Sequence, residues 1–294
     1  MRTVSIIAAS VLTGVAATSQ ADSRTFEKRL AANANGIVEV SNVAGIVNVI
    51  GWDRPEVEVK ADLEEGVERV DVSTEGGRTL VKVVLQRDSR NGGEADLSVN
   101  VPRGSELTLI TVSADIDVKQ VFGTQRLKTV SGNVNTEVAG ANAEINSVSG
   151  DIQVSGSGKP AAQRLNTVSG NVMLAHGAGD VEATSVSGDV QVEVNPAHSV
   201  RLRSTSGTLS FHGKLAADGA LDAESMSGDV TLEAGGGYEY EASSFSGDIE
   251  PCFGKDAERT GAHAPGSRLN GKLGDGSARV RARTMSGDVS LCGE

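Results

Sequence analysis

A tripeptide recurs along this chain at a nearly constant spacing. Ser-Gly-Asp or a close variant stands at Ser131-Gly132-Asn133, Ser149-Gly150-Asp151, Ser169-Gly170-Asn171, Ser187-Gly188-Asp189, Ser206-Gly207-Thr208, Ser227-Gly228-Asp229, Ser246-Gly247-Asp248 and Ser286-Gly287-Asp288. A degenerate copy, Ser113-Ala114-Asp115, precedes them. From Ser113 onward the serines lie 18, 18, 20, 18, 19, 21, 19 and 40 residues apart. A period of this length marks a repeat architecture, in which one unit cannot bury its apolar face without the next.

Alternation within the unit says what it folds into. The residue before each Ser is Val112, Val130, Val148, Val168, Val186, Thr205, Met226, Phe245 or Met285, and three after it stands Ile116, Val134, Ile152, Val172, Val190, Leu209, Val230, Ile249 or Val289. Period two predicts a strand with one buried face, the residue before Ser pointing inward and the Ser and Asp or Asn pointing outward. With a second short strand, such as 140–145, and Gly-rich corners, the unit has the size of one β-solenoid coil. The expected fold is therefore all-β: a single-chain parallel β-solenoid, or β-helix, of ~18–21 residue coils. Its equivalent residues stack about 4.8 Å apart, so the coils form a rod of roughly 40 Å.

Two details bear on the corners. The motif Gly is either a small inward residue or a left-handed corner, and Ala114, which tolerates extended backbone better, favours the inward reading. The column Asn133, Asp151, Asn171, Asp189, Thr208 alternates neutral and acidic side chains, which relieves a like-charge repulsion of about 1 kcal/mol between neighbours. After it, Asp229 and Asp248 are expected as direct neighbours. Such a column could take Ca²⁺, but it lacks the spacing of the Ca²⁺-binding nonapeptide rolls; side-chain hydrogen bonds to backbone at the bend are the better reading.

The remaining segments differ from the repeat. Residues 1–21 read as a signal peptide: Arg2, the apolar run Val4 to Ala17, and Ser19-Gln20-Ala21 as the cleavage site. Such a segment sends the product to the periplasm or cell envelope, or out of the cell, and no later stretch is apolar enough to span a membrane. Residues 22–105 alternate less regularly and are expected to form an N-terminal β cap or irregular early coils, with a hairpin loop at 87–93 and Trp52 plugging the end. The solenoid proper then covers 106–294. Cys252 and Cys292 each stand six residues after a motif Ser, which predicts a disulfide between neighbouring coils and makes 254–276 an excursion, either functional or a cap.

Composition excludes several classes. With 39 acidic against 27 basic residues the net charge is −12, so no nucleic-acid or anionic-membrane partner is expected. Four scattered His give no metal spacing, and no Ser/His/Asp, Cys/His or phosphate-binding constellation stands out. No cofactor and no catalytic residue follow, and the chain reads as non-enzymatic. Only 8 residues are aromatic, and of these Tyr238 and Tyr240 are the pair suited to stacking on a sugar.

The VSGDV and VSGNV units, the opening Val40-Ser41-Asn42-Val43-Ala44-Gly45-Ile46-Val47-Asn48-Val49 and Val101-Pro102-Arg103-Gly104-Ser105 resemble the bacterial putative-adhesin family of β-strand-repeat proteins, the domain of unknown function 4097. The resemblance implies an exported β-solenoid, adhesin-like by analogy, with no established activity. Its partner would be an envelope protein or glycan, and the protein a monomer or an end-to-end oligomer. Two other readings stand beside it: a structural envelope element that self-assembles through strand pairing at its ends, and a polysaccharide-active β-helix enzyme.

Overall fold

A computed structural model describes residues 24–87, 92–254, 257–259 and 266–293. The expected signal peptide and much of the 87–93 loop lie outside the described residues. In the N-terminal third the strands are β1 (Arg24–Ala31), β2 (Ile37–Trp52), β3 (Glu56–Leu63), β4 (Val67–Glu75), β5 (Arg78–Leu85), β6 (Ala95–Pro102) and β7 (Glu106–Lys119). The middle holds β8 (Gln125–Lys128), β9 (Val134–Val138), β10 (Ala143–Asn146), β11 (Ile152–Gly156), β12 (Ala161–Asn166), β13 (Val172–Ser187), β14 (Val190–Ser206) and β15 (Leu209–Ser227). The C-terminal part adds β16 (Val230–Gly235), β17 (Tyr238–Ser246), β18 (Ile249–Pro251), β19 (Glu258–Arg259), β20 (Ser267–Leu273), β21 (Ala278–Ser286) and β22 (Val289–Gly293).

The strands form two ladders whose apolar faces meet. Parallel pairing stacks Leu109, Leu127, Ile145, Leu165, Ala183, Leu202 and Ala223 in one, and Ile116, Val134, Ile152, Val172, Val190, Leu209 and Val230 in the other. All are buried. Residues one repeat apart therefore do sit over one another, as the motif spacing requires.

The all-β class holds, but a simple parallel solenoid with a separate cap does not. Seven parallel strands, β7 to β13, close on themselves as a barrel with extra strands added to it. Closure arises because β7 pairs with both β8 and β9, and β13 with both β11 and β12, each running round the repeat's corner without a break. The additions are mixed in direction. β2 lies parallel to β7 over Ile37–Ile50, whereas β1 with β3, β3 with β6, and β4 with β5 are antiparallel.

The order of repeats also departs from the chain order. β21 and β22 insert between β15–β16 and β17–β18, so Ser286 pairs with both Ser227 and Ser246. Asp229 and Asp248 are consequently not neighbours; Asp288 lies between them. The same insertion brings Cys252 and Cys292 together in the expected disulfide, with Cα atoms 4.8 Å apart. The described part of the 254–276 segment is no excursion outside the stack. Its β20 pairs antiparallel with β17 from Leu273↔Tyr238 to Ser267↔Ser244, so it satisfies a strand edge that would otherwise be bare.

Candidate functional site

The corner carrying the motif is where the alternation breaks, and the break creates the most unusual surface of the molecule. Two residues before each motif Ser stands a hydroxyl side chain: Thr111, Thr129, Ser147, Thr167, Ser185, Ser204, Ser225, Ser244 and Thr284. All nine are buried. Most turn inward to donate to a corner carbonyl, as Ser185 does to Gly170 at 3.1 Å, Ser244 to Gly287 at 2.8 Å and Thr284 to Gly228 at 3.0 Å. Thr129 and Ser147 occupy the same place without a hydrogen-bond partner among the described residues. Because this residue takes the inward position, the next is forced out.

That next residue is the one expected in the core. Val112, Val130, Val148, Val168, Val186, Met226, Met285 and Phe245 are instead 44–58% exposed, with Thr205 exposed in the remaining layer. In ladder order they form one apolar row down a single edge. Sequence alternation missed this, although the unbroken column of hydroxyl residues beside it was the signal: a Ser or Thr at every equivalent position is not what an apolar interior selects.

Beside the row runs a polar one. Asp115 accepts the amide N–H of Asn133 at 2.7 Å, Asn133 that of Asp151, Asp151 that of Asn171, Asn171 that of Asp189, and Asp189 that of Thr208. Asp229 accepts from Asp288, and Asp288 from Asp248, both at 2.9 Å. Each side chain bonds the backbone of the next layer, so the motif acids clamp one repeat to another. This is the backbone-binding reading of the column, but across layers. Among the described residues no group of three or more His, Cys, Asp or Glu side chains is placed to hold a metal ion.

The motif Gly between the rows is fixed by close approach along the stack, rather than by the core. A Cβ at Gly170 would lie 2.2 Å from the carbonyl oxygen of Gly150, and one at Gly150 would lie 2.0 Å from that of Gly132. The motif serines lie between, exposed, and Ser131, Ser149, Ser169 and Ser187 bridge layer to layer through backbone.

The Toastrack DUF4097 profile matches residues 56–234 and 199–292. The chain belongs to the Toastrack family. Among solved structures, a putative adhesin from Bacteroides fragilis is 11% identical with a TM-score of 0.47, covering 91% of this chain and 97% of its own. A putative adhesin from Parabacteroides distasonis is 12% identical with a TM-score of 0.40, covering 92% and 98%. A putative lipid binding protein from the same species is 10% identical with a TM-score of 0.34, covering 92% and 98%. No curated protein matches the chain.

The tyrosines expected to stack on a sugar do not face solvent in this Toastrack protein. Tyr238 is 0% and Tyr240 5% exposed. Their rings meet edge to face at 6.3 Å, Tyr240 packs on Phe253 at 5.0 Å, and burial pushes the Tyr238 hydroxyl up to about 12. Period two explains it: residues 238 and 240 share the inward parity of β17. Trp52 is no plug in the core either. Half-buried at the β2–β3 turn, it donates from Nε1 to the Glu56 carbonyl at 2.9 Å and carries the Arg54 guanidinium 4.9 Å from its ring.

Proposed function

We propose that this Toastrack chain is a non-enzymatic, exported envelope protein, adhesin-like in that its apolar edge binds a segment of a partner protein. One observation supports this above the rest. Eight large apolar side chains stand exposed in a single line where parity would have buried them. Isolated exposed apolar residues need no explanation, but five valines in successive layers, continued past Thr205 by Met226, Met285 and Phe245, mark an interaction surface. The adjacent row of Asp115, Asp151, Asp189, Asp229, Asp288 and Asp248, on a chain of net charge −12, selects a partner segment that combines apolar with cationic side chains. The apolar run ahead of Ala21 supplies the export signal on this reading.

Pairing through the strand edges is a weaker reading. β18 is a three-residue edge strand ending in Pro251, β20 covers β17, and Arg24 and Lys28 donate side-chain hydrogen bonds to the Val67 and Val72 carbonyls of β4. Short strands, proline and basic side chains at edges are devices that prevent pairing. The test is photo-crosslinking in cells, with the reactive side chain at position 148 on the edge or at 153 on the outer ladder face. A discrete protein adduct at 148 that is absent at 153 and lost at high salt is expected. Adducts of equal yield at both positions, or none at 148, would remove the edge from the account.

A further inference from the structure

If the apolar edge is the contact surface proposed above, its dimensions restrict the segment that lies along it. Val112, Val130, Val148, Val168 and Val186 stand exposed in five successive layers, about 4.8 Å apart. The acidic side chains beside them keep a longer repeat. Asp115, Asp151 and Asp189 alternate with Asn133 and Asn171, and Asp229 follows Thr208. These four carboxylates therefore recur at every second layer, about 9.6 Å apart.

Each of the four spends one oxygen, Oδ1, on an N–H of the next layer. All are exposed, and none forms an ion pair among the described residues. Two residues further along the chain from the motif acid or amide stand Asp117, Asn135, Gln153, Met173 and Gln191, none of them a cation. The basic residues of this corner, Lys128 and Arg203, precede the valine row on its other flank, and Arg203 is paired with Glu224 at 3.5 Å. Between the valines and the acids lie the exposed hydroxyls of Ser131, Ser149, Ser169 and Ser187, which make no hydrogen bond to any described residue.

The regular backbone conformations fit these repeats unequally. An α-helix returns a side chain to one face every seven residues, about 10.5 Å, and its pitch of about 5.4 Å drifts by about half a layer over the five valines. Valine is stiff about χ1 and cannot follow that drift. A β-strand returns every two residues, about 6.6 Å, and matches neither row. A polyproline II helix returns every three residues, about 9.3 Å, within about 0.3 Å of two layers. Its carbonyls have no partner within the helix, and the row of free serine hydroxyls offers them donors. We infer that the segment bound on the edge is a polyproline II stretch with Lys or Arg at every third residue. Its cations meet Asp115, Asp151 and Asp189, and apolar side chains, proline among them, lie on the valines.

Calorimetric titration of the full chain at about 0.15 M salt, where attraction is screened beyond about 8 Å, tests it with three end-blocked peptides of equal charge. One is three repeats of Lys-Pro-Val, one holds the same nine residues with the lysines adjacent, and one is an alanine-based helix with Leu and Lys in seven-residue repeats. The first should bind at least tenfold more tightly than either other. Asp151→Asn combined with Asn171→Asp conserves net charge and keeps an acceptor for each next-layer N–H, but breaks the two-layer spacing. It should weaken the Lys-Pro-Val peptide at least fivefold at an unchanged thermal midpoint, since Asp288 already lies between Asp229 and Asp248 in the parent. Val148→Ser should also weaken it at least threefold. Equal binding of the reordered or helical peptide, or full affinity in the charge-swapped variant, overturns the polyproline assignment and leaves the edge as a contact surface. Full affinity in Val148→Ser, or no binding of any peptide at millimolar concentration, overturns the assignment and counts against the edge as well.

Discussion

The corner glycines and the valines beside them carry opposite kinds of constraint. Replacing Gly170 by Ala drives a Cβ to 2.2 Å from the Gly150 carbonyl, whereas Gly158, in an open turn at φ +71°, has nothing within 4 Å. Denaturant unfolding should show Gly170→Ala losing about 2–4 kcal/mol, because backbone of the next layer must move, and Gly158→Ala about 1 kcal/mol, the cost of a left-handed conformation. For the apolar residues the ranking is set by exposure, not hydrophobicity. Val148→Ser at the edge should change stability by less than about 0.5 kcal/mol, while Ile152→Ala, four residues later and 1% exposed, should cost about 2–5 kcal/mol. Alternation alone gave both residues the same inward parity. It failed at Val148 because the neighbouring Ser147 competes for the inward position and a corner need not keep a strand's period of two.

Elements at the two ends hold the stack closed in different ways. Near the N-terminal end Glu58 on β3 is 4% exposed, and receives hydrogen bonds from Arg29 on β1 at 2.6 Å and from Asn100 on β6 at 2.8 Å. Burial pushes its carboxyl up, but the Asn100 and Arg29 hydrogen bonds and the charges of Arg29 and Lys60 outweigh it and leave the carboxyl below its ordinary range. The unfolded chain binds the proton more readily, so this contribution is complete above the ordinary carboxylate pKa of about 4.3 and is lost as pH falls through the lower folded value. Glu58→Gln should therefore lower stability at pH 7 and flatten its decline between pH 5 and 3, as read by urea unfolding. A parallel acid limb in variant and parent would assign the decline to other carboxylates. At the C-terminal end, Cys252→Ser with Cys292→Ser removes a cross-link spanning 40 residues, a loop whose closure is worth about 4 kcal/mol. That loss should appear without a change in β content by circular dichroism. The disulfide was legible because both cysteines occupy the same place after a motif Ser. The capping role of β20 was not, since Ser267–Leu273 carries no motif and pairs against the direction of the repeat.

At the scale of the whole molecule, period and parity were enough to reveal stacked parallel repeats, but not how they join. Closure of β7 to β13 depends on strands that run unbroken round a corner, and the out-of-order insertion of β21 and β22 depends on a 40-residue gap; neither leaves a local pattern in the residues. The candidate surface was hidden for the same reason. Its apolar row was read as core, and the tyrosines read as surface are core. The residue before each motif Ser faces outward in eight apolar layers, and on the proposed reading that row is the contact surface. Maleimide labelling of single cysteines at 130, 148, 168 and 186 tests it most directly, in purified protein and again on intact cells. Labelling as fast as a free thiol in the purified protein, with protection on cells at these four positions but not at 153, is predicted. Slow labelling in the purified protein would put these residues back in the core, and equal labelling on cells would leave the row without a partner.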